Sequence, residues 1–386
     1  MNTIPSTARG RWYKLWRYIR IYGWRRALVK AAGRTRSSSS WMLGLKRRAG
    51  PPNVSVIGCR QAAFSTLCFF LYRARGAVFL DAFDTDRVQA ETLARFYGFR
   101  GVAESADILL QDPAVRLVYI ASNHASHTAY TIEALQRSVD VFVEKPLCTQ
   151  WKDLRALEEA IEGSRARIWT GYNRPFSAAV VHLRKKIAGL RTPLSLVCYI
   201  HGHHIPQAHW YRHPKEGTRI SGNAGHWLDL AIHLLTAVWG GAPSIVHLHH
   251  TPATAAEPDD NFTLILHTDA GDHITIVLAS RNEPAEGVRE SIEVQCGEIS
   301  AQIDDFRTMR LWHRGKSSRT TYPVKDVGHR LCTLQPFLPD SQQRSFTEVL
   351  CSTRLMLHAT DLARRGGGSY SADLTHTPVP VSFNAE

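Results

Sequence analysis

Residues Val118 to Thr149, VYIASNHASHTAYTIEALQRSVDVFVEKPLCT, read as strand, loop, helix, strand, loop. VYIAS is a short apolar run of the kind a buried strand carries, and Ile132, Ala134 and Leu135 give the following helix its apolar positions. VDVFVE alternates and is rich in β-branched residues, which marks a second strand. In a parallel sheet the loops SNHASH and EKP both open at the carboxyl ends of their strands. Open α/β sheets bind their ligands there.

The 386 residues, 44% of them hydrophobic, can bury a large core and predict two domains. No run approaches 18 consecutive apolar residues, so no transmembrane helix is expected. Seven cysteines are scattered without a C-x-x-C pair, which favours reduced thiols and a cytoplasmic protein over a disulfide framework or a zinc knuckle. The formal net charge is +13, and residues 1–50 hold thirteen Lys or Arg with no Asp or Glu, so residues 51–386 are formally neutral. The basic character therefore belongs to an N-terminal arm. Trp12, Leu15, Trp16 and Ile19 fall at helical spacing among basic and aromatic neighbours. Such a helix suits residues 9–34 either to an anionic membrane surface, peripheral to its inner face, or to packing on the protein's own body. An acid-free, Arg- and Ser-rich start is also a feature of organellar transit peptides. No nucleic-acid partner is expected, because the arm has no reading motif and the body no net charge.

NVSVIGCRQAAFSTLCFFLYRARGAVFLDAFDTD reads as strand, turn, helix, strand, the start of a Rossmann domain. Its phosphate loop is Gly58-Cys59-Arg60-Gln61-Ala62-Ala63. The first Gly and the closing small residue of G-x-G-x-x-G/A are present. Arg60 stands where the middle Gly lets a backbone approach a pyrophosphate.

Together the imperfect glycine loop and the EKP tripeptide resemble the glucose–fructose oxidoreductase/inositol dehydrogenase (Gfo/Idh/MocA) family. The resemblance implies that Lys145 stands beside a nicotinamide and the reacting carbon, with Glu144 flanking it and a cis peptide before Pro146. It implies a cofactor site at Gly58, Cys59, Arg60, Gln61 and Ala63, with Asp84 on the adenosine ribose and Asp81 as its rival. A carboxylate on the ribose favours NAD, while Arg87 nearby keeps NADP admissible. Ser122, Asn123 and His127 match the loop that touches the nicotinamide ribose and substrate. His127 is equally readable as a plain helix-start histidine.

In the second half, GYNRPFS resembles the family's domain-junction loop, with Pro175 and Ala178 departing from it. Gly225-His226-Trp227-Leu228-Asp229 resembles its H-x-x-D helix start, which implies His226 as acid/base and Asp229 on the same face one turn later. Position 222, often Asp in the family, is Gly. His233 gives a second register but lies deeper among apolar residues. The histidines from His201 to His213 and at His247, His249 and His250 lack carboxylates or thiols at matching spacing, so no metal site is expected. LSLVCYIH, SIVHLHH, FTLILHT, HITIVLASR, RESIEVQCG and SAQIDDF predict an open, mostly antiparallel sheet. A DDF segment and a later K-x-x-GH extend the resemblance to about residue 365.

The fold class expected is α/β: an arm and linker over 1–50, a Rossmann domain over 51–172, an α/β domain on a large open sheet over 173–365, and a mobile tail over 366–386. The function implied is an NAD(P)-dependent oxidoreductase acting on a sugar, cyclitol or nucleotide-sugar. By analogy with the family it is a homo-oligomer. The alternative is a binding or scaffold protein that keeps the fold without the chemistry.

Overall fold

A computed structural model of the chain describes residues 16–37, 51–255, 259–281 and 287–378. Much of the arm expected over 1–50 lies outside the described residues. The part within them forms α1 (Trp24–Thr35), rich in good helix formers and closed by Arg36 in the left-handed region.

The Rossmann domain follows as β1 (Val54–Ile57), a π-helical turn Ala63–Leu67 leading into α2 (Cys68–Arg75), β2 (Phe79–Phe83) and α3 (Arg87–Tyr97). It continues with β3 (Gly101–Val102), α4 (Ala106–Gln111), β4 (Leu117–Ile120), α5 (His127–Gln136), β5 (Asp140–Val143), α6 (Trp151–Glu162) and β6 (Ile168–Thr170). The six strands are parallel in the order β3-β2-β1-β4-β5-β6. Strand order reverses between β1 and β4, and both strands are buried throughout, as sheets covered on both faces require. That reversal opens the ligand crevice at the strands' carboxyl ends.

The second domain runs through α7 (Ala178–Ile187), β7 (Leu194–His201) and α8 (Gly225–Trp239), then β8 (Ile245–Pro252), β9 (Phe262–His267), β10 (His273–Ala279), β11 (Arg289–Cys296), β12 (Ile299–Asp304), β13 (Thr308–His313) and β14 (Lys316–Thr321). It closes with α9 (His329–Thr333), α10 (Phe346–Arg364) and β15 (Gly368–Asp373). Nine strands form one sheet, β14-β13-β12-β11-β7-β10-β9-β8-β15, antiparallel except for β7 beside β10. β7 alternates strictly, turning Leu194, Leu196, Cys198 and Ile200 into the core and their neighbours outward. α8 is buried on nearly every side because it packs against both α10 and β7.

One expectation about the chain ends needs correction. A mobile tail was expected from 366, yet 368–373 is an edge strand on β8. Gly366, Gly367 and Gly368 turn the chain at positive φ, and the Ser371 and Ser369 hydroxyls bond the His247 and His249 rings. α1 packs on the protein's own body, one of the two readings of the arm. Val29 and Ala32 enter the Rossmann core, Gln61 donates to the Lys30 carbonyl at 3.1 Å, and the Lys325 N–H donates to the Ile21 carbonyl. Trp16 and Trp24 remain exposed on the arm.

The seam between domains is polar and specific. Tyr119 donates to the Thr333 carbonyl, Gln335 to the Thr170 carbonyl and Asn173 to the Val327 carbonyl. The DDF and K-x-x-GH segments meet here, because Lys325 is buried in an ion pair with Asp305.

α1 approaches the domain most closely at Gly33, where an added Cβ would stand 2.9 Å from the Phe64 ring and from Gln61 Oε1. Gly33→Val is expected to lower stability by about 1–3 kcal/mol through overpacking. The measurement is the urea midpoint at unchanged slope; an unaltered midpoint would show that α1 is not docked.

Candidate active site

β1 and β4 end against one another at Gly58. This residue has φ +85°, and a Cβ on it would fall 2.3 Å from the Ser122 nitrogen, so only glycine fits. Asp84, just beyond β2, accepts from the Cys59 N–H at 2.7 Å and the Asp86 N–H at 2.9 Å. Its rival Asp81 is paired instead with Arg100 at 2.6 Å. The acidic group facing the glycine loop is therefore Asp84. Arg60 is exposed, and Gln61 and Ala63 begin the helix behind the loop. The first N–H groups of that helix lack intrahelical acceptors, which suits them to a phosphate. The donor set fits a dinucleotide.

At the other end of the crevice, the Lys145–Pro146 peptide is cis. His127 sits under it, fully buried, with Nδ1 2.8 Å from the Pro146 carbonyl and Nε2 3.3 Å from the Ser122 carbonyl. His127 opens α5, and its ring ties the EKP loop to the end of β4. Burial pushes its pKa down while both carbonyls oppose that. Glu144 lies against Gly171, where a Cβ would meet its carboxylate.

Lys145 reaches across the seam and donates to the Gly222 carbonyl at 2.7 Å. Gly222 belongs to the π-helical turn Ile220–Ala224 that leads into α8, so the contact brings the EKP loop to the start of the His226 helix. Burial lowers the Lys145 pKa to about 8; neighbouring Glu144 opposes this and Arg174 adds to it. His226 lies edge-on to Tyr172 with ring centroids 6.1 Å apart, and its Nδ1 is buried with no partner among the described residues. Desolvation, reinforced by Arg174 and Lys145, holds its pKa well below the usual range, so the imidazole is neutral.

Asp229 finds its ion-pair partner on α10's N-terminal flank. It is buried in an ion pair with Arg344 at 2.6 Å, and Arg344 also holds Glu348 at 3.0 Å. The i,i+3 spacing is real, but the arginine from α10's N-terminal flank claims the carboxylate. His233 bonds Glu348 at 2.6 Å, which makes it a core histidine. Burial would raise the Glu348 carboxyl, but Arg344 and His233 hold it at about 2.

Three contacts were not readable from sequence. Arg174 grips Glu290 with two hydrogen bonds of 3.1 and 2.9 Å, and Trp227 donates to the same carboxylate at 2.8 Å, fixing the start of α8. The Tyr211 hydroxyl occupies the space left by Gly222, where a Cβ would stand 1.8 Å from it. Glu216 accepts from Asn123 Nδ2 at 2.6 Å and from the Ala125 N–H at 3.2 Å, covering the loop beyond β4. Only the aromatic and acidic character of that segment hinted at it.

Residues 53–172 match a family model described as an oxidoreductase family with an NAD-binding Rossmann fold, Gfo/Idh/MocA. The match covers the Rossmann domain. The chain is 25% identical over 259 residues to inositol 2-dehydrogenase 2 of Saccharopolyspora erythraea, covering 64% of this chain and 72% of that one. It is 23% identical over 305 residues to inositol 2-dehydrogenase of Burkholderia ambifaria, covering 76% and 87%. Among solved structures, a levoglucosan dehydrogenase in complex with NADH and levoglucosan superposes with a TM-score of 0.69 at 15% identity, over 84% of this chain and 99% of that one. A UDP-N-acetylglucosamine 3-dehydrogenase from Acidithiobacillus ferrooxidans gives 0.64 at 18%, over 82% and 98%. These structural likenesses establish the two-domain fold.

Arg344 neutralises two buried carboxylates, so removing it strands both. Arg344→Met is expected to cost about 3–5 kcal/mol of stability. Thermal and urea unfolding check this, and a loss below 1 kcal/mol would show the pairs to be solvated.

Proposed function

We propose that the protein is an NAD(P)-dependent oxidoreductase that moves hydride between nicotinamide and a hydroxyl or ketone of a sugar, cyclitol or nucleotide-sugar. The observation that carries this is the Lys145–Gly222 hydrogen bond, which sets an amine with a pKa of about 8 beside the first turn of the His226 helix. The substrate class follows the inositol and sugar dehydrogenases named above. The nicotinamide, when bound, supplies the hydride acceptor or donor.

On the protein's side, neutral His226 takes the hydroxyl proton during oxidation and returns one during reduction. Lys145 holds the reacting oxygen and, once neutral, joins in carrying the proton. Asp84 accepts hydrogen bonds from the adenosine ribose hydroxyls, and the glycine-loop N–H groups hold phosphate oxygens. Asp229 keeps its place as a positioning residue, anchoring α8 through Arg344. The uncovered face of the second sheet, with Tyr199, Trp312 and Tyr370 exposed, is where we place a homo-oligomer contact. One observation favours the scaffold alternative: Glu216 occupies the Asn123 amide that a nicotinamide ribose would need.

Lys145→Ala and His226→Ala are each expected to reduce kcat by about 10²–10⁴-fold, with NADH affinity within threefold of native. Below pH 8 the Lys145 amine is an ammonium and above it neutral, so oxidation should rise and reduction fall as pH passes about 8. That limb should vanish in Lys145→Ala. Steady-state kinetics with inositols and sugar nucleotides, alongside NADH titration, make the test. Full activity in both variants, or a native protein that binds no dinucleotide, would sink the proposal.

A further inference from the structure

α1 ends beside the glycine loop. Arg36, its left-handed capping residue, donates from Nη1 to the Cys59 carbonyl at 2.9 Å, and its guanidinium carbon lies 5.3 Å from the Phe64 ring. The guanidinium interacts electrostatically with Asp84 and Asp86. Asp84 accepts from the N–H of the same Cys59, so cation and carboxylate flank one residue of the phosphate loop. In Rossmann domains the acidic residue after β2 meets the adenosine ribose, and an arginine beside it accommodates a 2′-phosphate. This arginine ordinarily comes from within the Rossmann unit. Of the candidates there, Arg87 pairs with Glu91 and Glu104 and Arg100 with Asp81 and Asp112, while exposed Arg60 stands in the glycine loop, on the pyrophosphate side.

We propose that Arg36, supplied by the N-terminal arm, is a ligand of the adenosine end of the dinucleotide and meets the ribose 2′-phosphate of NADP(H). The inference rests on the dinucleotide-binding reading above and deepens it, because it assigns cofactor choice to a residue outside the Rossmann domain. A guanidinium has five N–H donors. Among the described residues Arg36 places one hydrogen bond, on Cys59, and the side chain is half-buried, so donors remain for an anion. α1 is held firmly enough to present it. Gly33 packs on Phe64 and Gln61, Gln61 bonds the Lys30 carbonyl, and Val29 and Ala32 are buried in the Rossmann core.

The test titrates the full-length protein with NADPH and with NADH, following fluorescence or heat, for native, Arg36→Ala, Arg36→Gln and Arg87→Ala. Gln keeps a donor for the Cys59 carbonyl without the charge, so it separates anchoring of the arm from recognition of phosphate. Both Arg36 variants are expected to weaken NADPH at least tenfold and NADH less than threefold. Arg87→Ala should leave both within threefold. The native protein's NADPH affinity should also fall more steeply with salt than its NADH affinity. If Arg36→Ala does not fold, Arg36→Gln carries the same expectation. Equal losses for the two dinucleotides, or NADPH binding in Arg36→Gln within twofold of native, would overturn the inference. Native protein that binds NADH but not NADPH overturns it and leaves the dehydrogenase reading standing. Native protein that binds neither overturns both.

Discussion

An amine from one domain resting on a backbone carbonyl of the other is the contact on which the site depends. Lys145 leaves the end of β5 and finds its acceptor at Gly222, where the π-helical turn presents a carbonyl toward the seam. A buried amine without an acceptor would lose its proton or its place. Burial, with Glu144 opposing and Arg174 adding, brings the pKa of Lys145 to about 8, within reach of either protonation state near neutral pH. The same bond fixes how far apart the domains stand, since it joins the EKP loop to the start of α8. His127 supports this from behind by bracing the Pro146 and Ser122 carbonyls.

Two buried ion networks then hold α8 in a single position. At its start, Glu290 receives Arg174 and Trp227 together; one turn on, Asp229 and Glu348 share Arg344. Burying charge costs several kcal/mol per ion unless pairing offsets it. The gain lies in definition, because hydrogen-bond directions fix helix rotation more narrowly than apolar contacts do. Arg174 serves a second purpose: its positive charge and that of Lys145 disfavour protonation of His226. The imidazole is thereby kept neutral.

What was legible in the sequence was periodic or local. β7 and β10 could be read because their alternation follows from one face on the core and one in solvent. The Rossmann sheet was legible as strand–helix repeats, except for the two-residue β3. Lys145 and His226 were legible through family resemblance, since nothing in their spacing along the chain brings 145 near 226. The choice between Asp81 and Asp84 needed the position of Arg100, which only the fold supplies. For Asp229 the i,i+3 spacing gave its place on the His226 face but not its partner from α10's flank. Arg344, Tyr211 and Glu216 act across long stretches of chain, and no pattern in one sequence encodes such pairings. β15 was missed because its edge pairing depends on a glycine turn and on serine hydroxyls meeting the β8 histidines.

The arm shows how a charge count can be right and its interpretation incomplete. Thirteen cations precede the neutral body, and solvation alone would have them extend away from it. Instead α1 buries Ala27, Val29 and Ala32, which draws its basic residues close to one another. Lys30 registers the crowding: burial first, then Arg34 and Arg26, bring its pKa to about 8, and its ammonium rests over the Tyr18 ring at 4.3 Å. Cations gathered this way are short of counter-charge. The acidic groups nearest the end of the helix, Asp84 and Asp86, already hold backbone N–H groups of the Rossmann loops. An anion settling at the glycine loop would relieve repulsion in the arm as well as satisfy the loop. Any ligand that binds the folded form in this way also stabilises it. Through its packing and the Arg36 contact to Cys59, the arm belongs physically to the dinucleotide half of the molecule.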